Sequence, residues 1–122
     1  MKHDVRDALL TQRMLQEIDE LESYISGLDA SGFLGSSITQ KAVAMTMINI
    51  GELSKKLSEA ILERMTSVPW GKIRALRNLV AHQYGDVRME RIWDTLMNDI
   101  PELKAALLAQ QSRLQGLTDA HT

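Results

Sequence analysis

Ile38-Thr39-Gln40-Lys41-Ala42-Val43-Ala44-Met45-Thr46-Met47-Ile48-Asn49-Ile50 is the stretch that decides the architecture. It has the length and composition of a helix and is apolar on nearly all sides. A helix apolar all round must be buried on several faces. In a chain of 122 residues, one of those faces could belong to a second subunit. Ser36 or Ser37 can cap its first turn, and the pattern predicts a helix running to about Met65. Asn49, Glu52 and Lys56 draw a polar line through its second half.

Upstream, Val5, Leu9, Gln12, Leu15, Ile18, Leu21 or Glu22, Ile25 and Leu28 recur at three- and four-residue steps, which predicts a helix over 4–28. Gly27 and Asp29-Ala30-Ser31-Gly32 end it. Downstream, Val68-Pro69-Trp70 opens a third helix, with Pro69 suited to a first turn. That helix runs to Ala81 or His82, with Ile73, Leu76 and Val80 as its buried stripe and Leu79 beside them. An exit loop around Gly85 leads to a fourth helix over 88–99, with Ile92, Trp93 and Leu96 inward. Pro101 predicts the start of a fifth helix over 102–114. The expectation is an all-α bundle of four to five helices, one domain over 1–115 with a flexible tail over 116–122.

Composition agrees. Hydrophobic residues make up 44% and charged residues 25%, values of a soluble globular chain. Without cysteine there is neither disulfide nor thiolate-bound zinc. The N-terminus lacks the apolar core of a secretory signal, and no apolar run is long enough to span a membrane. A cytoplasmic location is the resulting expectation. Net charge is −2, but it is unevenly spread. Residues 70–91 hold Lys72, Arg74, Arg77, Arg88 and Arg91 against Asp86 and Glu90, a local excess of cations that could follow a phosphate backbone.

Several chemistries are excluded by pattern. There is no Gly-rich phosphate loop, no Gly-x-Ser-x-Gly elbow and no His-Glu-x-x-His. With histidines only at 3, 82 and 121, no histidine-built metal site and no cofactor is expected. What remains is Arg77-Asn78-Leu79-Val80-Ala81-His82-Gln83-Tyr84. Guanidinium is a planar, permanently charged fork for phosphate oxygens. Imidazole can take and give protons near neutral pH, and an Asn amide can orient a hydroxyl or a phosphate oxygen. Positions 77 and 82 stand roughly 140° apart on a regular helix. Either the helix ends near His82 and lets it swing round, or a two-fold partner completes the site. The plainer reading makes Arg77 a surface ion pair, His82 a C-terminal cap and Tyr84 a packing residue.

Arg-Asn-x-x-Ala-His-x-Tyr resembles the Arg-x(4)-His signature of the HEPN superfamily. It is most similar to the HepT-type toxins that pair with a minimal nucleotidyltransferase antitoxin. Ile50-Gly51-Glu52, Val68-Pro69-Trp70, and Val87 followed by Ile92-Trp93 fall in that family's order, so the resemblance spans about Val5 to Leu107. It implies an antiparallel helical bundle that forms a homodimer, and a metal-independent endoribonuclease with no cofactor. Carried over, Arg77 holds the scissile RNA phosphate and His82 is the general acid or base. Asn78 supports them, and from the basic segment itself Arg74 and Lys72 are expected to add phosphate contacts. The RNA 2′-hydroxyl attacks and leaves a cyclic phosphate. Tyr84 matches the tyrosine that the partner nucleotidyltransferase adenylylates to silence the toxin. The alternative within the same fold is a non-catalytic helical dimer that docks a nucleotidyltransferase.

Overall fold

Asp7 and Ser58, 51 residues apart in sequence, tie the beginning of the first helix to a turn after the third. Ser58 donates its backbone N–H (3.1 Å) and its hydroxyl (2.6 Å) to the Asp7 carboxylate. The computed structural model describes the backbone of residues 2–120 and the side chains of 3–116. Within them lie six α-helices and no strand: α1 (Lys2–Ile25), α2 (Ala30–Leu34), α3 (Ser37–Ser54), α4 (Glu59–Arg64), α5 (Trp70–Gln83) and α6 (Met89–Ala120), with a single 3-10 turn, Tyr84–Asp86, between the last two. The expected tail over 116–122 ends in residues 121–122, which lie outside the described residues.

α1 is the central strut, packed on α3 and α6, while α5 lies against α3 and α2 tucks between α3 and α6. Its direction follows from its partners. Asp7 meets Ser58 while Glu17 accepts from Asn49, so α1 and α3 run antiparallel. Glu22 accepts from Lys104 at 2.8 Å while Leu9 lies beside Leu114, so α1 and α6 are antiparallel too. The Glu22 hydrogen bond raises the Lys104 pKa above its ordinary value.

The all-α expectation holds, with four corrections of detail. First, the linker after α1 contains a short helix. Gly27 takes a left-handed conformation (φ +79) to end α1, and Asp29 then caps α2 by accepting from Gly32 N–H at 2.8 Å. Phe33 from α2 is fully buried and its ring lies 5.3 Å from that of Trp93. Second, the helix that begins after Ser36, which caps it through Thr39 N–H, stops at Ser54 rather than Met65. Ser58 adopts extended backbone and caps α4 through Ile61 N–H. The bonds to Asp7 hold it there, and a continuous helix would forfeit them.

Third, Pro101 lies inside α6 instead of starting a new helix. The bond it removes would have gone to the carbonyl of Met97, and both residues are exposed. A carbonyl on the solvent side can turn to water, so the helix passes through. Fourth, the inward stripe of α1 begins on Asp7, Leu10, Thr11 and Met14, which are buried, and not on Val5 and Leu9, which are 64% and 58% exposed. Burying Asp7 to hold Ser58 rotates this end of the helix away from its most apolar pair.

The core itself is continuous: Met14, Ile18 and Leu21 from α1, Val43, Met47 and Ile50 from α3, Ile73, Leu76 and Val80 from α5, and Ile92, Leu96, Leu103 and Leu107 from α6. α3 is buried on several faces, as its composition requires. One stripe is left open in the single chain: Ile38 is 83% exposed and Met45 60%.

Candidate active site

The stripe that buries Ile73, Leu76 and Val80 fixes the rotation of α5. It turns Arg77 sideways onto α3. Arg77 crosses that helix at Gly51, where a Cβ would come within 2.8 Å of the Arg77 Cβ and 2.5 Å of its Cγ. No residue with a side chain fits there without moving one of the helices. Past Gly51, Arg77 Nη2 forms an ion pair with Glu52 Oε1. Lys55 approaches the same carboxylate oxygen at 3.6 Å. Arg77 Nη1 donates to Asn78 Oδ1 at 2.9 Å, and Arg77 Nε is enclosed with no hydrogen-bond partner. The side chain is 17% exposed, a guanidinium held at both ends with part of one edge open.

α5 continues through His82 to Gln83, so the helix does not end early enough to swing His82 round. Arg77 and His82 therefore keep their divergence of roughly 140°. His82 is exposed, and its imidazole makes no hydrogen bond to a helix carbonyl among the described residues. Arg74, Asn78 and His82 recur at four-residue steps and share one face. The bond from Arg77 to Asn78 draws one edge of the guanidinium toward that face.

The basic segment is less free than its sequence suggests. Lys72 is paired with Asp99 of α6 at 2.8 Å, so it braces α5 against α6. Arg88 is exposed, 4.0 Å from Glu90. Arg74 has no carboxylate partner among the described residues, and its Nε is enclosed without a hydrogen bond. Tyr84 follows α5 at once, in the 3-10 turn, half-buried and packed on the core, with exposed Gly85 next to it.

Sequence reading placed Arg77, Asn78, His82 and Tyr84 on one short segment, and they are there. It used Gly51 and Glu52 only as marks of the family's order and gave them no part in the site. A glycine inside a strongly apolar helix is the signal that something approaches closely, but only the fold shows that the visitor is Arg77. Among the described residues, no group of three or more His, Cys, Asp or Glu side chains could hold a metal ion. Nor is any helix long and apolar enough to cross a membrane.

Comparison with known proteins then gives the chain a family. Residues 14–109 match the family model described as Ribonuclease HepT-like, a span that takes in Gly51, Glu52, Arg77, His82 and Tyr84. The chain is 30% identical over 93 residues to a provisionally named RNase of Caldanaerobacter subterraneus, covering 76% of this chain and 83% of that protein. It is 32% identical over 100 residues to a provisionally named RNase of Methanocaldococcus jannaschii, with coverage of 82% and 81%. A probable ribonuclease HepT of Thermococcus cleftensis is 29% identical over 104 residues, with coverage of 85% and 93%. No solved structure gives a significant match.

Proposed function

Because the chain belongs to the HepT-like ribonuclease family, we propose that it is a metal-independent endoribonuclease toxin whose cleft is completed by a second copy of itself. One observation carries the reading. Ile38, Met45 and Glu52 stand seven residues apart and share one face of α3. The exposed apolar stripe of that helix therefore runs directly into the Glu52–Arg77 pair. A partner that covers Ile38 and Met45 across a two-fold axis running along α3 would bring its own α5 toward this end of the stripe. Arg77 of one copy then faces His82 of the other, which removes the divergence that α5 imposes within one chain.

In that cleft Arg77 holds the non-bridging oxygens of the scissile phosphate through its fork. One His82 takes the proton of the RNA 2′-hydroxyl, and the oxygen attacks the adjacent phosphorus. The bond to the 5′-oxygen breaks, and the second His82 gives that oxygen a proton. The products are a 2′,3′-cyclic phosphate end and a 5′-hydroxyl end. Arg74, with no carboxylate partner among the described residues, contacts a neighbouring phosphate. Control falls on Tyr84: a nucleotidyltransferase antitoxin adenylylates it, which sets negative phosphate beside Arg77 and His82 and fills the cleft.

The test is RNA cleavage by the purified protein. Wild type should leave cyclic phosphate ends and be unaffected by EDTA. His82→Ala should be slower by about 10²–10⁴-fold with an unchanged melting temperature, since the His82 imidazole is exposed and bonds to nothing among the described residues. Equal cleavage by both proteins, or loss of cleavage in EDTA, would reject the mechanism.

A further inference from the structure

We propose that Glu52 is the positioning residue for Arg77, and that Gly51 supplies the space this pairing needs. The inference rests on the reading of Arg77 as the phosphate-holding group and assigns it a mechanism. Nothing in the octapeptide of α5 points to α3; the assignment comes from the contact alone.

A fork that must meet two phosphate oxygens is useful only if its plane is fixed before substrate arrives. Arg77 is fixed at three points. Its stem lies on the bare backbone of Gly51, Nη2 is paired with Glu52, and Nη1 donates to Asn78. Each terminal nitrogen of a guanidinium carries two hydrogens. Asn78 takes one from Nη1, and Glu52 lies against Nη2 as an ion pair, so both nitrogens keep a hydrogen for a phosphate oxygen.

A carboxylate on this arginine could have the opposite meaning, occupying the seat the phosphate needs. The contacts favour positioning. Glu52 reaches one terminal nitrogen and leaves the other to Asn78, whereas a phosphate surrogate would engage both. Lys55 lies 3.6 Å from the same oxygen, so Glu52, Lys55 and Arg77 together keep a positive charge facing the cleft.

Single-turnover and steady-state cleavage of an RNA substrate separate the two roles. Glu52→Ala should lower kcat by about 10- to 100-fold with little change in KM, the cost of a misplaced group. Glu52→Gln keeps an acceptor for Nη2 and should recover most of the loss. Adding Glu52→Ala to Arg77→Ala should slow the enzyme no further, because both changes remove one function. Glu52→Ala that binds RNA more tightly and cleaves as fast as wild type would overturn the proposal in favour of competition.

A readout independent of activity is the Nε–H resonance of Arg77 in ¹⁵N-labelled protein, assigned by its absence in Arg77→Ala. It should be sharp and slow to exchange in wild type, broadened in Glu52→Ala and restored in Glu52→Gln. An unchanged resonance in Glu52→Ala would overturn the pairing as well. If Arg77→Ala cleaves RNA like wild type, the reading of Arg77 fails, and the resonance still decides whether Glu52 holds it.

Discussion

Arg77 rests on Gly51: the first two carbons of its side chain fill the space that a side chain at position 51 would occupy. The contact joins α5 to α3 at the root of the arginine, not at its flexible tip. Replacing Gly51 by Ala should therefore push the helices apart. Alanine gains about 1 kcal/mol in helix propensity, while overpacking a closed contact costs about 1–3 kcal/mol. The overpacking should win, because the Arg77 Cβ cannot rotate away. A thermal melt should show Gly51→Ala destabilised, and its RNA cleavage should fall with it. A variant as stable and as active as wild type would mean that α3 and α5 are not held at this distance.

The buried Asp7 carboxylate offers a second check on the fold. It accepts two hydrogen bonds from Ser58, which in turn caps α4. Asp7→Ala leaves the Ser58 N–H and hydroxyl without their acceptor. Hydrogen bonds to a charged group contribute about 1.5–3 kcal/mol each, so a loss of about 3–6 kcal/mol is expected in urea denaturation. Ser58→Ala keeps the backbone N–H on Asp7 and loses the cap and the hydroxyl's bond to the carboxylate, so it should cost less, about 2.5–4 kcal/mol. If Asp7→Ala unfolds at the wild-type midpoint, the tie between α1 and the α3–α4 turn is absent.

These two contacts also mark where the sequence stopped being readable. Local signals were sufficient for α5: Val68-Pro69-Trp70 opens it, and Ile73, Leu76 and Val80 bury as their spacing requires. They were sufficient for the start of α3, since Ser36 caps a neighbour three residues on. The break after Ser54 was not legible, because the group that makes Ser58 a cap is Asp7, on another helix. The same buried carboxylate explains why Val5 and Leu9 face outward despite their spacing. Pro101 misled for a different reason. A proline is a strong stop signal only where the lost hydrogen bond would be buried, and exposure is a property of the fold. At the site, the octapeptide showed Arg77, Asn78, His82 and Tyr84, while the pairing of Arg77 with Glu52 needed the crossing of two helices.

Tyr84 carries the expectation about control. Its hydroxyl makes no hydrogen bond among the described residues, so Tyr84→Phe should fold as wild type does. Incubation of the wild-type protein with the partner nucleotidyltransferase and ATP should add AMP to Tyr84, seen by peptide mass spectrometry, and cleavage should fall in step. Tyr84→Phe should stay active under the same conditions. If it is silenced as fully as wild type, control works by complex formation and not by modification.

The central claim is that Arg77 and His82 act together from different copies of the chain, because one unbroken helix turns them apart within a single copy. Mixing Arg77→Ala with His82→Ala tests it most directly. Each protein alone should be inactive, while a mixed dimer restores one cleft with Arg77 from one copy and His82 from the other. After co-refolding, with mixed dimers confirmed by native mass spectrometry, RNA cleavage should rise well above that of either parent and stay below wild type, since the mixed cleft holds one His82 in place of two. A mixed dimer as silent as either parent would contradict it.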